Sequence, residues 1–219
     1  MEKIILFGTG QNAALARSVF SQDGSYQVAA FTVDRDYLTE ERFLDLPVIP
    51  FEEIQAYYPP EEFAMFISIS FRKVNRLRAE KYAQAKAKGY TLVSQVSSRA
   101  NLPAGFQTGD NCLVGACNIG PFVEVGSNVI IASGCVIGHH TVVKDHCYLG
   151  PGAVVSGSVT VEPYCFIGSG AVIRDRLTIK EATVIGAGSV ILEDTVERGV
   201  YLAKTADRLP ISSEQLPLG

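Results

Sequence analysis

The chain has 219 residues, 47% of them hydrophobic, with a net charge of −4 and a pI near 5.4. That size allows one large domain or two small ones with a real core, and the mild acidity leaves no basic footprint for nucleic acid. No apolar run reaches the roughly 20 residues needed to cross a bilayer, and Met1 leads straight into a strand-like segment with no charged-then-apolar leader, so the expectation is a soluble, cytoplasmic protein without a membrane partner.

Residues 3–8, KIILFG, form a continuous apolar run suited to a buried parallel strand. A Gly-rich turn and an amphipathic segment, Gln11 to Gln22, follow, and Tyr26 to Val33 alternates like a second strand. The acidic, turn-prone stretch 34–45 leads to a short Pro-bounded segment at 47–49 and a helix over 51–57 that Pro59 and Pro60 end. Phe63 to Ser70 reads as a third main strand, Arg72 to Lys88 as a basic amphipathic helix closed by Gly89, and Tyr90 to Val96 as a last strand. Strands alternating with helices predict a small Rossmann-like parallel α/β domain over residues 1–97.

From Leu113 the sequence divides into sixes, LVGACN, IGPFVE, VGSNVI and on to ILEDTV, fourteen in one register. The first place is always Leu, Ile or Val, and the fifth is small or medium, Cys117, Cys135, Cys147 and Cys165 among them. A hexapeptide period marks a parallel β-helix. In the left-handed form three hexads complete a triangular coil, so the first-place aliphatics fill the axis and residues eighteen apart stack. The predicted left-handed β-helix domain covers 98–196, with a first irregular coil over 101–112, and residues 197–219 form a C-terminal tail. The odd count of five cysteines and their fifth-place positions read as small buried hydrophobes, with Cys112 lacking an evident partner.

Repetition supplies architecture, and chemistry has to come from what interrupts it. Gly8-Thr9-Gly10-Gln11-Asn12-Ala13 satisfies the loose GxGxxA pattern between strand and helix, with Asp34 and Asp36 at about the ribose-binding distance. Dinucleotide binding, binding of a nucleotide sugar or other phosphate, and a purely structural tight turn are all open for it. All three histidines, His139, His140 and His146, fall within one short stretch of the repeat. A metal site needs a third imidazole converging from elsewhere along the chain, and none exists outside the cluster. General-base catalysis fits better, with His139 and His140 as the candidates, because counting eighteen from His139 reaches Gly157. A glycine there leaves open space and an accessible N–H beside the imidazole, the base and oxyanion donor that acyl transfer requires.

On these residues the chain resembles the hexapeptide sugar acyltransferases that join a small nucleotide-binding α/β domain to a left-handed β-helix. It is similar to the bacillosamine-type N-acetyltransferases of nucleotide-linked amino sugars and to the sialic acid O-acetyltransferases. The resemblance runs from ILFGTG, ending at Gly10, to VYLAK, ending at Lys204. It implies that His139 is the catalytic base, that the Gly157 N–H faces the acetyl carbonyl, and that the turn Gly8 to Asn12 binds the nucleotide with Asp34 and Asp36. It further implies acetyl-CoA as co-substrate, no metal, and a homotrimer in which the pantetheine runs between two subunits past Gly186 and Ala187.

Four departures stand out. Asn12 stands where many members have a histidine, Tyr148 where another often follows the catalytic one, and His140 where some relatives carry a carboxylate able to orient the imidazole. The late Gly-x-Pro-Ala element near the coenzyme's adenine is replaced by Leu202-Ala203-Lys204-Thr205-Ala206, which makes Lys204 the candidate there. The expected function is transfer of acetyl from acetyl-CoA to a nucleotide-linked amino sugar for bacterial surface glycan synthesis. A sugar hydroxyl as acceptor, and a non-catalytic or metal-binding β-helix protein, are the alternatives.

Overall fold

The structure, a computed structural model, describes residues 1–22, 25–208, 210 and 214. Strand β1 (Glu2–Phe7) carries the apolar run, buried from Ile4 onward. It lies between β2 (Tyr26–Val33) and the later strand Ala64–Ile67, parallel to both. Helix α1 (Gln11–Gln22) buries Ala13, Ala16 and Phe20 against this sheet, a stripe at helical spacing.

The stretch read as a turn holds a hairpin: β3 (Arg42–Phe43) pairs antiparallel with β4 (Leu46–Pro50), and β4 continues the parallel sheet beside β2. Leu44 and Asp45 between them both have positive φ, 48° and 63°, the mirror-image turn that matches strand twist. A leucine in that conformation gives no turn signal, so the hairpin is not legible in the sequence. Helix α2 (Ile54–Tyr57) is shorter than expected and is followed by β5 (Ala64–Ile67), giving the sheet order β3-β4-β2-β1-β5. Helix α3 (Arg76–Ala87) starts later than expected because Lys73, Val74 and Asn75 are left-handed, with φ of 52°, 50° and 61°.

The strand expected over residues 90–96 is divided between two sheets. Leu92 bridges Met65 and extends the α/β sheet, whereas β6 (Gln95–Val96) pairs with β7 (Leu113–Val114) and opens the first face of a three-sided prism. That face has seven strands, the second five and the third four. Each strand of the repeat is two residues long with its second residue inward, as in Val136–Ile137 and Val154–Val155. The inward aliphatics from Ile119 to Ile191 form one continuous core, and the fifth-place residues are buried beside them. Burial of each Ile, Leu or Val contributes about 1.5–3 kcal/mol before chain entropy is counted.

The register of the repeat is corrected at its start. Val114, not Leu113, pairs with inward Ile131, seventeen residues on, whereas Ile131 and Leu149 stack eighteen apart. The first coil is one residue short, and a one-residue slip exchanges the two faces of a strand. Leu113 therefore points outward and packs against the α/β core. At the other end the ladder extends into the segment assigned to the tail: Val200–Tyr201 pairs with Val184–Ile185 across a shortened coil.

The α/β domain is clamped onto the first face. Phe71 packs at 5.4 Å on Tyr148 and at 4.7 Å on Phe166, both outward on that face. Arg78, fully buried, donates to Asn128 Oδ1, to the carbonyl of Ser70, and to the carbonyls of Asn128, His146 and Cys147 at 3.0–3.2 Å. Its burial lowers the guanidinium pKa to about 10. Five acceptors satisfying a buried cation lock the relative position of the two domains.

Candidate active site

Most of the sequence-predicted residues fall in two separate places. The first is a cavity of about 520 Å³ at the carboxyl ends of β1, β2 and β5, where ligands of open α/β sheets bind. Its floor is the β1–α1 turn. Gly8 has φ 120° and donates its N–H to Thr32 O at 2.7 Å. A Cβ there would lie 3.2 Å from Ser68 Oγ, so the glycine permits both the turn and the close approach of β5. Gly10 accepts from Ala13 N and Ala14 N at 3.0 and 3.1 Å, which begins the helix, and Asn12 is exposed at its first turn.

Asp34 lines the cavity, but Lys81 Nζ sits 2.7 Å from its Oδ1 and 2.9 Å from Gln84 Oε1. Its carboxylate is already ion-paired, leaving Oδ2 for a ligand. Asp36 does not reach this cavity and lines a neighbouring depression with Glu52 and Lys88. Sequence reasoning missed Ser68, Arg72 and Lys81 as lining residues. The basic character of the third helix was the available signal, but only the chain's return over β1 turns Lys81 and Arg72 toward the turn.

The second place is an edge of the prism. His139 and His140 occupy the corner between the second and third faces, and both are exposed. A Cβ on Gly157 would lie 2.8 Å from His139 Cε1 and Nε2, so the imidazole lies directly over the glycine. The eighteen-residue stack also shows in the backbone, where Ser158 N donates to His139 O at 2.8 Å. The Gly157 N–H has no acceptor among the described residues. His139 Nδ1 and His140 Nδ1 are 3.0 Å apart, and the His140 ring leans on Phe122 at 4.7 Å.

His146 belongs to the junction between the domains. Asn128 Nδ2 donates to its Nδ1 at 2.8 Å, so the neutral ring carries its proton on Nε2, and Tyr82 and Tyr164 cover it. Burial lowers its pKa, opposed by the nearby Asp145 and Asp110 charges. Gly186 and Ala187 lie on the edge between the first and second faces, away from His139 of the same chain. Gly186 N donates to Tyr201 O at 2.7 Å, and Lys204 is exposed just beyond the last strand. Among the described residues no three His, Cys, Asp or Glu side chains converge as a metal site, and no helix is long and apolar enough to cross a membrane.

The family model described as bacterial transferase hexapeptide (six repeats) matches residues 140–175. A variant of perosamine N-acetyltransferase from Caulobacter crescentus, solved with CoA and GDP-perosamine, superposes with a TM-score of 0.83 at 24% identity, covering 93% of this chain and 94% of that one. The chain shares that enzyme's fold. The acetyltransferase domain of PglB from Neisseria gonorrhoeae, solved with acetyl coenzyme A, gives 0.81 at 21% identity, over 95% and 99% of the two chains. WeeI from Acinetobacter baumannii gives 0.73 at 19%, over 92% and 94%. Comparison with curated protein sequences yields no match. The two-part architecture is thus common to enzymes that bind CoA and, in one case, a nucleotide-linked sugar.

Proposed function

We propose that this chain is an acetyl-CoA-dependent N-acetyltransferase of a nucleotide-linked amino sugar, working in the cytoplasm toward surface glycans, with His139 as general base. The observation that carries the reading is the His139 ring over Gly157 on an open edge. His139 Nε2 takes the proton as the sugar amine attacks the thioester carbon, and the Gly157 N–H meets the developing oxyanion. The C–N bond forms, the C–S bond breaks, and the proton passes to the leaving sulfur. The β1–α1 turn and the cavity above it hold the nucleotide, with the α1 N-terminus toward its phosphates.

One chain does not bring its own nucleotide cavity to its own His139, because the α/β domain covers the first face and His139 lies on the opposite edge. The second face supplies the way to join two copies: Val136, Val172 and Val190 point outward, 41%, 38% and 61% exposed, with half-buried Val154 between them. Three-fold packing through that face sets the His139 edge of one copy against the next copy's edge bearing Gly186 and Ala187, next to the next copy's α/β domain. The coenzyme then lies between subunits, with Lys204 near its far end.

Thiol release from acetyl-CoA, measured with a panel of nucleotide-linked amino sugars, tests the activity. Release that requires such an acceptor supports the reading, and no release with any amine counts against it. Light scattering tests the assembly: a monomer at micromolar concentration rules out the trimer.

A further inference from the structure

We propose that His140 is the positioning residue of His139, the two imidazoles forming a dyad around one shared Nδ1 proton, so that the charge of the pair decides whether the base is available. The inference rests on the reading of His139 as general base. Two ring nitrogens 3.0 Å apart hold one proton between them, since two lone pairs or two N–H groups facing at that distance repel. His140 is fixed from the coil before: its φ is 57°, its N–H donates to Pro121 O at 3.1 Å, and its ring rests on Phe122. His139 is fixed from the coil after, over Gly157.

Only one arrangement serves catalysis. With the shared proton on His139 Nδ1, its Nε2, the atom above Gly157, keeps a lone pair. With the proton on His140 Nδ1, His139 must carry its own on Nε2 and cannot accept another. Any further proton on the pair has the same effect, because a charged His140 presents two N–H groups and forces His139 into the blocked tautomer. When His139 Nε2 receives the amine proton, the Nδ1–H···Nδ1 bond becomes charge-assisted. A neutral acceptor thus does what an orienting carboxylate would do as an anion.

Few other groups face the pair. The adjoining corners, Gly120-Pro121-Phe122 and Ser156-Gly157-Ser158, hold nothing titratable in this pH range. Glu124 opens the third face one coil earlier, and Arg174, Asp175 and Arg176 lie one coil beyond Gly157, with Asp175 and Arg176 paired at 3.8 Å. Neither imidazole makes an ion pair among the described residues.

The test uses the whole protein labelled with ¹⁵N-histidine. In the wild type a ¹⁵N–¹⁵N coupling joins His139 Nδ1 to His140 Nδ1 across the shared proton, and in His140→Gln it is lost. Absence of that coupling in the wild type overturns the dyad. In activity, His140→Gln lowers kcat about tenfold with KM for the acceptor unchanged, and His140→Glu, which supplies another acceptor for the His139 Nδ1–H, restores it. A kcat that His140→Gln leaves unchanged also overturns the proposal. Undiminished turnover in His139→Ala removes the base reading alone, while the coupling still decides whether the proton is shared.

Discussion

His139 and His146 stand at successive corners of one prism, each beside a residue in the left-handed conformation or in it themselves, with φ 57° at His140 and 64° at His146. The edge of His146 is roofed by helix α3. Its Nδ1 accepts from Asn128, its carbonyl accepts from Arg78, and Tyr82 and Tyr164 close over the ring. Among the described residues nothing roofs the edge of His139, and the one ring touching it comes from His140. A corner histidine is thus enclosed or left open to solvent according to what covers its edge. The hexad itself makes no distinction between them.

The largest expected effect separates the two histidines directly. His139→Ala lowers turnover about 10²–10⁴-fold, the contribution of a positioned general base, and leaves the fold unchanged by circular dichroism. Were turnover to survive, the contrast between the edges would have to be drawn on other grounds.

Arg78→Ala strikes the covered edge and strands the carbonyls of Ser70, Asn128 and His146, while Cys147 O keeps the Ile130 N–H. Urea unfolding should show a loss of roughly 3 kcal/mol, on the scale of several lost hydrogen bonds to a charged donor. A loss below about 0.5 kcal/mol, the range of ordinary surface substitutions, would show that the clamp is dispensable.

Gly157→Ala is gentler. Its Cβ meets the movable His139 ring at 2.8 Å, so kcat falls about tenfold with little change in thermal midpoint. At Gly138 the same substitution meets the Gly157 backbone N at 2.5 Å, and there stability is lost too.

The smallest effect is one of pH. Burial depresses the His146 pKa, so the unfolded chain binds a proton more readily than the native one. Stability is full above the unfolded value near ~6.5 and falls as pH drops through that value toward the native one. His146→Asn removes this part of the acid slope, read as the difference between the two denaturation series. Identical slopes would place His146 outside the buried network.

Much of this was legible in the residues. The hexads place Gly157 beneath His139 without reference to coordinates, because a stack of identical coils turns sequence distance into spatial distance. The same ruler fails at its ends. Leu113 has the chemistry of an axial residue and stands outside, since a coil one residue short cannot be seen from the identity of its aliphatics. Asp34 lines the cavity over the glycine turn, yet nothing in its neighbourhood along the chain announces Lys81, which arrives from a helix three strands later.

By itself, then, the sequence determined the prism, its axial core, the stacked His139 and Gly157, and the α/β domain with its glycine turn, because each follows from local periodicity and short-range spacing. The tertiary structure alone decided that the domain lies on the first face, held by Arg78. Through that choice it decided that His146 is half-buried beneath α3, that His139 stays exposed, and that the outward valines of the second face stay exposed too. Which face is covered depends on contacts between distant segments, and no repeat, being the same on every side, contains that information.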